Sequence, residues 1–296
     1  MIEEPTVFVL GAGASVPFGF PVGSKLLTHV VGELGQSSTI DFLHSHCNFI
    51  VSDITDFREA LKNSGQMSVD AFLEHRDDFL DIGKASIAFA LMRYELRDML
   101  FREAEGNWLK YLFGKMNSSF ENFGKNRVSF LTFNYDRTVE EFLSTSLSNS
   151  YGKSPDECLT QLSEIPIIHL HGSIGNLPWQ GGNSRSFEPV INPDTLDVAR
   201  KGIKIIHEST TDGRDKDFER GLNLLQNAKR VLFLGFGYNS LNMERLGIIG
   251  VGITAIGTGV GLTAAEIRDI QAVAGGKIDI WPNMDCLNVI RDLRWK

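Results

Sequence analysis

The stretch VFVLGAGASVPFGFPVG, Val7 to Gly23, runs a short apolar segment into a glycine turn. Gly11 and Gly13 would let the backbone approach a phosphate, and N–H groups at a following helix start would bind the anion. Ser15 can add a hydroxyl hydrogen bond. The pattern is GxGxxV, with Val16 where a dinucleotide fingerprint has its third glycine. A strand-to-helix turn with no ligand uses the same residues. A dehydrogenase would need an acidic residue about 20 positions on, at the end of a second strand. Glu33 stands there, but Ser24 to Leu34 reads as helix, which disfavours hydride transfer.

Two later turns carry groups able to do chemistry. Val128 to Phe133 runs into Asn134, Tyr135 and Asp136. Asn-x-Asp past the carboxyl end of a buried strand sits where open α/β sheets bind ligands. The same residues also serve as Asx turns and helix caps. Asn134 can orient a water by donating and accepting hydrogen bonds, while Asp136 reads as an orienter of the loop. Pro166 to Leu170 runs into His171, Gly172 and Ser173. An imidazole there can move a proton near neutral pH, although a lone histidine after a strand is more often structural. His169 is expected to face the same side as His171. Val231 to Leu234 leads into Gly235, Phe236, Gly237 and Tyr238, a second strand-to-glycine turn. Neither histidine has a partner at a recognised metal-ligand spacing. The cysteines Cys47, Cys158 and Cys286 form no CxxC pair, so no metal is expected.

These turns need strands to hold them. Apolar runs of β-branched and aromatic type fall at Thr6 to Leu10, Val128 to Phe133, Pro166 to Leu170, Val231 to Leu234, Gly252 to Ile256 and Lys277 to Trp281. They are continuous rather than alternating, as in parallel strands covered on both faces. Gly257, Thr258 and Gly259 are expected just after the fifth. Residues 23–124 form a helical insertion or small subdomain, with Ala88, Leu91, Met92, Leu96 and Met99 at helical spacing. Asn176 to Asp217 reads as irregular loops around one short strand, Ile203 to His207. Asp212 to Arg220 reads as a turn and helix start, and Asp285 to Leu293 as a last helix. The division is one domain, 1–296, with residues 1–22 plus 125–296 as the core.

Composition narrows the classes further. The 296 residues are 42% hydrophobic and 22% charged, which excludes a disordered chain, a collagen and a coiled coil. The net charge of -8 argues against broad nucleic-acid binding. No apolar run reaches the roughly 18 residues of a membrane span. The start, MIEEPTVFVLGAG, has acids where a signal peptide needs bases, so a cytoplasmic location is expected.

Taken together, GAGAS at Gly11 to Ser15, TFNYD at Thr132 to Asp136, LHGS at Leu170 to Ser173 and FLGFGY at Phe233 to Tyr238 resemble the sirtuin superfamily. The resemblance is strongest to its bacterial sirtuin-like, NAD-consuming branch. It implies an α/β fold: a six-stranded parallel, Rossmann-like (doubly wound) sheet with a small helical domain. NAD would lie across the strand ends as substrate. Gly11, Ala12, Gly13 and Ser15 match the pyrophosphate loop. Thr132, Phe133, Asn134 and Asp136 match the motif around the nicotinamide ribose. His171 matches the catalytic histidine, and Gly235 and Tyr238 the loop near the adenosine. The chain departs from the pattern in lacking four zinc-binding cysteines after the histidine. It also has Phe20, Pro21, Val22 and Gly23 where the family has Pro-Asp-Phe-Arg, and Phe133 where a glutamine is common. These departures count against acyl-lysine recognition. The resemblance implies an NAD hydrolase releasing nicotinamide and ADP-ribose, an antiphage defence effector, with a homo-oligomer or a separately encoded regulatory partner. The alternatives are a protein deacylase or ADP-ribosyltransferase, and a non-catalytic NAD-binding regulatory module.

Overall fold

The structure, a computed structural model, describes residues 1–103, 105–205, 216–250, 252 and 254–295. Its six strands are β1 (Thr6–Leu10), β2 (Val128–Thr132), β3 (Ile167–His169), β4 (Arg230–Leu234), β5 (Ala255–Gly259) and β6 (Ile278–Pro282). All pair in parallel, in the order β3-β2-β1-β4-β5-β6. This is the doubly wound, Rossmann-like order, which reverses direction between β1 and β4. Alternation sends Phe8 and Leu10 to one apolar cluster and Val7 and Val9 to the other. With both faces covered, all of β1 is buried, which is why it reads as an unbroken apolar run.

Between β1 and β2 lie α1 (Gly23–Glu33), α2 (Ser37–Cys47), α3 (Val51–Asn63), α4 (Val69–Leu73), α5 (Leu80–Met92), α6 (Arg97–Phe101) and α7 (Trp108–Lys115). They pack into the same cluster as Phe8 and Phe130. Helix α5 is its centre, with every residue from Ala85 to Met92 buried. The helical spacing expected through Met99 is broken. The helix stops at Met92, and a turn carries Glu95 into a buried ion cluster while Leu96 is exposed.

Helices α8 (Thr138–Tyr151) and α9 (Pro155–Leu162) connect β2 to β3. The polar stretch after β3, expected to be loops, contains α10 (Pro193–Gly202). Asn192 starts it: its Oδ1 accepts the Thr195 N–H at 2.9 Å, and Thr195 Oγ1 accepts the Asn192 N–H at 3.0 Å. This reciprocal cap with proline in the first turn stabilises a helix of low apolar content. The strand expected from Ile203 is reduced to a single antiparallel bridge with Gly172; Ile206 and His207 lie outside the described residues. Of the Asp212 to Arg220 charge run, the described part opens α11 (Lys216–Asn227).

The remaining helices are α12 (Ser240–Arg245), α13 (Ala264–Val273) and α14 (Cys286–Asp292). Asp285 caps α14 through the Asn288 N–H at 2.7 Å. Strand β5 sits three residues later than expected, so Gly257, Thr258 and Gly259 are inside it. The glycines are there for space: a Cβ on Gly257 would lie 2.1 Å from the Tyr238 hydroxyl. Among the described residues, no helix is long and apolar enough to cross a membrane.

Candidate functional site

The turns after β1 and β4 meet at the point where the strand order reverses. The Gly11 N–H donates to the Leu234 carbonyl at 3.1 Å, and the Gly13 N–H to the Gly235 carbonyl at 2.9 Å. A Cβ on Gly11 would lie 2.6 Å from Phe236 Cα, and one on Gly235, whose φ is +58°, only 2.0 Å from the Ala14 nitrogen. Glycine is therefore needed here for one loop to touch the other. Ala12 to Phe18 forms a 3-10 turn containing Pro17, not the expected α-helix start. The N–H groups of Gly13 and Ala14 are taken by the Gly235 and Gly11 carbonyls. These two donors therefore point into protein. Half-buried Ala12 opens the turn. The insertion braces it, with Trp108 Nε1 donating to the Ala14 carbonyl at 2.8 Å.

The turn after β2 is tied to the same place. Asn134 Nδ2 donates to the Gly11 carbonyl at 3.0 Å and to Ser15 Oγ at 3.1 Å. Ser15 Oγ donates to Asp136 Oδ2 at 2.7 Å, and Asp136 Oδ1 accepts the Thr138 N–H at 3.1 Å. Thr132 Oγ1 accepts the Asn134 N–H at 3.0 Å. Ser15, Thr132, Asn134 and Asp136 are all buried. Both amide hydrogens of Asn134 are committed to protein, so the side chain has only acceptor capacity to offer a ligand. Burial raises the Asp136 pKa, against the lowering effect of its bonds to Thr138 and Ser15. The Tyr135 hydroxyl donates to Asp70 of the insertion.

Register pairs Thr132 with His169 across β2 and β3, so Asn134 and His171 each lie two residues beyond an aligned pair. The two histidines do not share a face, contrary to expectation. His169 turns to α8, with Nε2 2.6 Å from Glu140 Oε1 and Nδ1 2.9 Å from the Asn134 carbonyl. Burial pulls its pKa down, but the Glu140 carboxylate, the Asn134 carbonyl and Asp136 together carry it above the ordinary value. Both ring nitrogens face acceptors, which suits an imidazolium. His171 lies on the other side, its ring 5.2 Å from Phe133 and 6.1 Å from Phe218. The strand ends at His169 and Gly172, at φ +69°, closes a turn, so the two-residue alternation no longer holds. His171 is 8% exposed and its Nε2 is buried with no hydrogen-bond partner. Burial, with Arg245 nearby, lowers its pKa to about 4, so it is neutral at physiological pH.

Aromatic rings wall this side. Phe133 is 5.0 Å from Phe236 and 6.2 Å from Phe218, and Arg245 Cζ lies 4.0 Å over the Phe218 ring. Tyr238, at φ +51°, turns inward and donates to the Thr258 carbonyl at 2.9 Å. Beside β3 is a cavity of about 330 Å³ lined by His169, Gly172, Ser173, Asn176 and Lys204 among others. Sequence reasoning passed over Arg245 and Phe218. The available signal was a basic residue soon after the second glycine turn.

It also passed over a buried cluster that fixes the loops around the site. Arg137 Nε and Nη2 donate to the two Glu95 oxygens at 2.8 and 2.7 Å, and Arg185 Nη2 joins them. Arg137 Nη1 donates to the carbonyls of Asn176 and Arg185 at 3.0 and 2.7 Å. Glu95, Arg137 and Arg185 are at most 5% exposed. The cluster thus joins the insertion, the Asn-x-Asp turn and the stretch after β3.

Among the described residues, no group of three or more His, Cys, Asp or Glu side chains is arranged to hold a metal ion. The fold and these turns define a Rossmann-like α/β protein with polar groups gathered at its topological switch point. No family model matches the sequence, and no curated protein matches it. Among solved structures, the chain is similar to a crystal structure of Sir2 in complex with the inhibitor EX-527, 2'-O-acetyl-ADP-ribose and deacetylated p53 peptide. The identity is 14%, the match covers 97% of this chain and 90% of that one, and the TM-score is 0.40.

Proposed function

We propose that the protein binds NAD across the carboxyl ends of β1, β2 and β4 and hydrolyses the nicotinamide–ribose bond. One observation carries this reading. Asn134, Asp136 and Ser15 are knotted to the Gly11 carbonyl at the switch point, level with an imidazole whose Nε2 lacks a protein partner. A buried, unpaired polar atom at such a point is open to a polar partner from outside the chain, water or ligand, and open sheets of this order bind ligands at this point. Gly11, Ala12, Gly13, Ser15, Thr132, Phe133, Gly235 and Tyr238 would line the dinucleotide site.

In the reaction, water adds to the ribose C1' and the N-glycosidic bond breaks, its electron pair leaving with neutral nicotinamide. One proton of the attacking water passes to His171 Nε2 and then to solvent, and the other stays on the new C1' hydroxyl of ADP-ribose. Asn134 Oδ1 accepts a hydrogen bond from the water. Asp136, held by Ser15 and Thr138, keeps the turn in place. Attack on an oxocarbenium-like sugar asks little basicity of the acceptor, which suits an imidazole held neutral. Consuming NAD without a second substrate demands restraint. The reading therefore extends to a defence effector switched by self-association or by a separately encoded partner.

The test is nicotinamide release from NAD by the purified chain, across protein concentration, for wild type, Asn134→Ala and His171→Ala. Each substitution is expected to lower turnover about 10²–10⁴-fold, roughly 3–5 kcal/mol. Release only with an acyl-lysine or protein acceptor would indicate a transferase or deacylase. Tight NAD binding without turnover would indicate a binding module.

A further inference from the structure

The proposed chemistry asks Asn134 to aim its Oδ1 at a water, yet Asn134 stands past the end of β2, which closes at Thr132. Within a sheet the ladder fixes each peptide; beyond it a buried backbone group needs another partner. For Asn134 those partners are side chains. Its N–H donates to Thr132 Oγ1 at 3.0 Å, and its carbonyl accepts from His169 Nδ1 at 2.9 Å. Its side-chain Nδ2 is tied to the Gly11 carbonyl and to Ser15.

His169 takes no part in the attack of water. It ends β3, in register with Thr132. Its Nε2 lies 2.6 Å from Glu140 Oε1 of α8, a carboxylate only 3% exposed. That contact turns Nδ1 toward the Asn134 carbonyl. With acceptors at both nitrogens the ring is an imidazolium, and its Nδ1–H makes a charge-assisted bond to the carbonyl. A planar peptide held at its oxygen also holds the adjoining Cα, and with it the direction in which the side chain leaves the backbone. We propose that His169 is a positioning residue for Asn134: gripped at Nε2 by Glu140, it holds the Asn134 carbonyl through Nδ1 and so sets where Oδ1 points. The inference rests on the NAD reading for what Oδ1 is aimed at, and on these contacts for how it is aimed.

The test compares His169→Asn with His169→Gln. The shorter carboxamide puts its nitrogen near the place of Nδ1 and can still donate to the carbonyl. The longer one reaches the place of Nε2 and keeps the bond to Glu140 instead. Because Glu140 is buried, thermal melts should rank His169→Gln as the more stable of the two. Turnover should rank them in reverse. His169→Gln is expected to lower kcat for NAD cleavage roughly 10- to 100-fold, the scale of a misplaced reacting group, with KM nearly unchanged. His169→Asn should keep most of kcat. A side chain that only supports the fold would make turnover follow stability; that order overturns the inference, as does equal kcat in the two variants. The amide nitrogen resonance of Tyr135, in the peptide that carries the Asn134 carbonyl, reads the same bond without activity. It should move in His169→Gln and stay near wild type in His169→Asn; equal movement in both overturns the inference. A wild type that cleaves no NAD removes the hydrolase reading and leaves the Tyr135 resonance to decide the inference alone.

Discussion

Ser15 Oγ donates to Asp136 Oδ2 at 2.7 Å, and this bond joins the turn after β1 to the turn after β2 across 121 residues of chain. Ser15→Ala deprives a buried carboxylate oxygen of its donor, at an expected cost of about 1–3 kcal/mol. Urea denaturation should show a lower midpoint with an unchanged slope. A midpoint equal to wild type would mean that this bond adds nothing to the knot.

The Glu95 cluster sets a larger expectation. Glu95→Ala leaves the buried guanidinium groups of Arg137 and Arg185 without their carboxylate, which typically costs about 3–5 kcal/mol. Lys201→Ala removes an exposed partner of Asp197, a pair 2.6 Å apart, and should cost less than about 1 kcal/mol. Thermal melts of the two variants should separate clearly. Similar melting temperatures would contradict the assignment of Glu95 as the anchor.

Gly257 and Tyr238 should be energetically coupled. Gly257→Ala places a Cβ 2.1 Å from the Tyr238 hydroxyl and 3.1 Å from its Cζ. The single variant should lose about 1–3 kcal/mol to overpacking. Adding Tyr238→Phe removes the closer atom and should return part of that loss. A double-mutant cycle measures the coupling; strictly additive losses would place the phenol elsewhere.

His171 makes stability depend on pH in a definite direction. Its folded pKa, about 4, lies below the ordinary histidine value. Between pH 6.5 and 4 the unfolded chain therefore binds the extra proton, and stability falls as the solution is acidified. His169, with its pKa raised, acts oppositely: its contribution is present below the unfolded value and lost as pH rises through the folded one. Comparing wild type with His171→Asn isolates the first effect. Wild type should lose roughly 2 kcal/mol more than the variant between pH 7 and pH 5. Parallel pH profiles would show that His171 is not held neutral.

Much of the sheet was legible because its strands are buried on both faces and read as plain apolar runs. The fifth strand was misplaced because Gly257 and Gly259 look like a turn, although they are small to admit Tyr238 and Trp281. Helix α10 was missed because its apolar content is low, yet Asn192, Pro193 and Thr195 spell out a helix start. Asn134, Asp136 and Ser15 could be nominated from their positions past strand ends. Their mutual bonds could not, since these depend on distant segments meeting. The alternation rule failed at His171 because it stops applying where the strand stops. Glu95 gave no local signal and Arg245 only its place soon after the second glycine turn, for their significance lies in Phe218, Arg137 and Arg185 across the fold.

The hydrogen bond from the Gly13 N–H to the Gly235 carbonyl stitches one half of the doubly wound sheet to the other, main chain to main chain. Such a seam cannot widen like a hinged cleft without breaking that stitch. A molecule arriving there meets a floor already set, and the ordering required on binding falls on the visitor and on a few rotatable side chains above it. Discrimination between related visitors then depends on how those side chains settle, not on opening and closing of the halves.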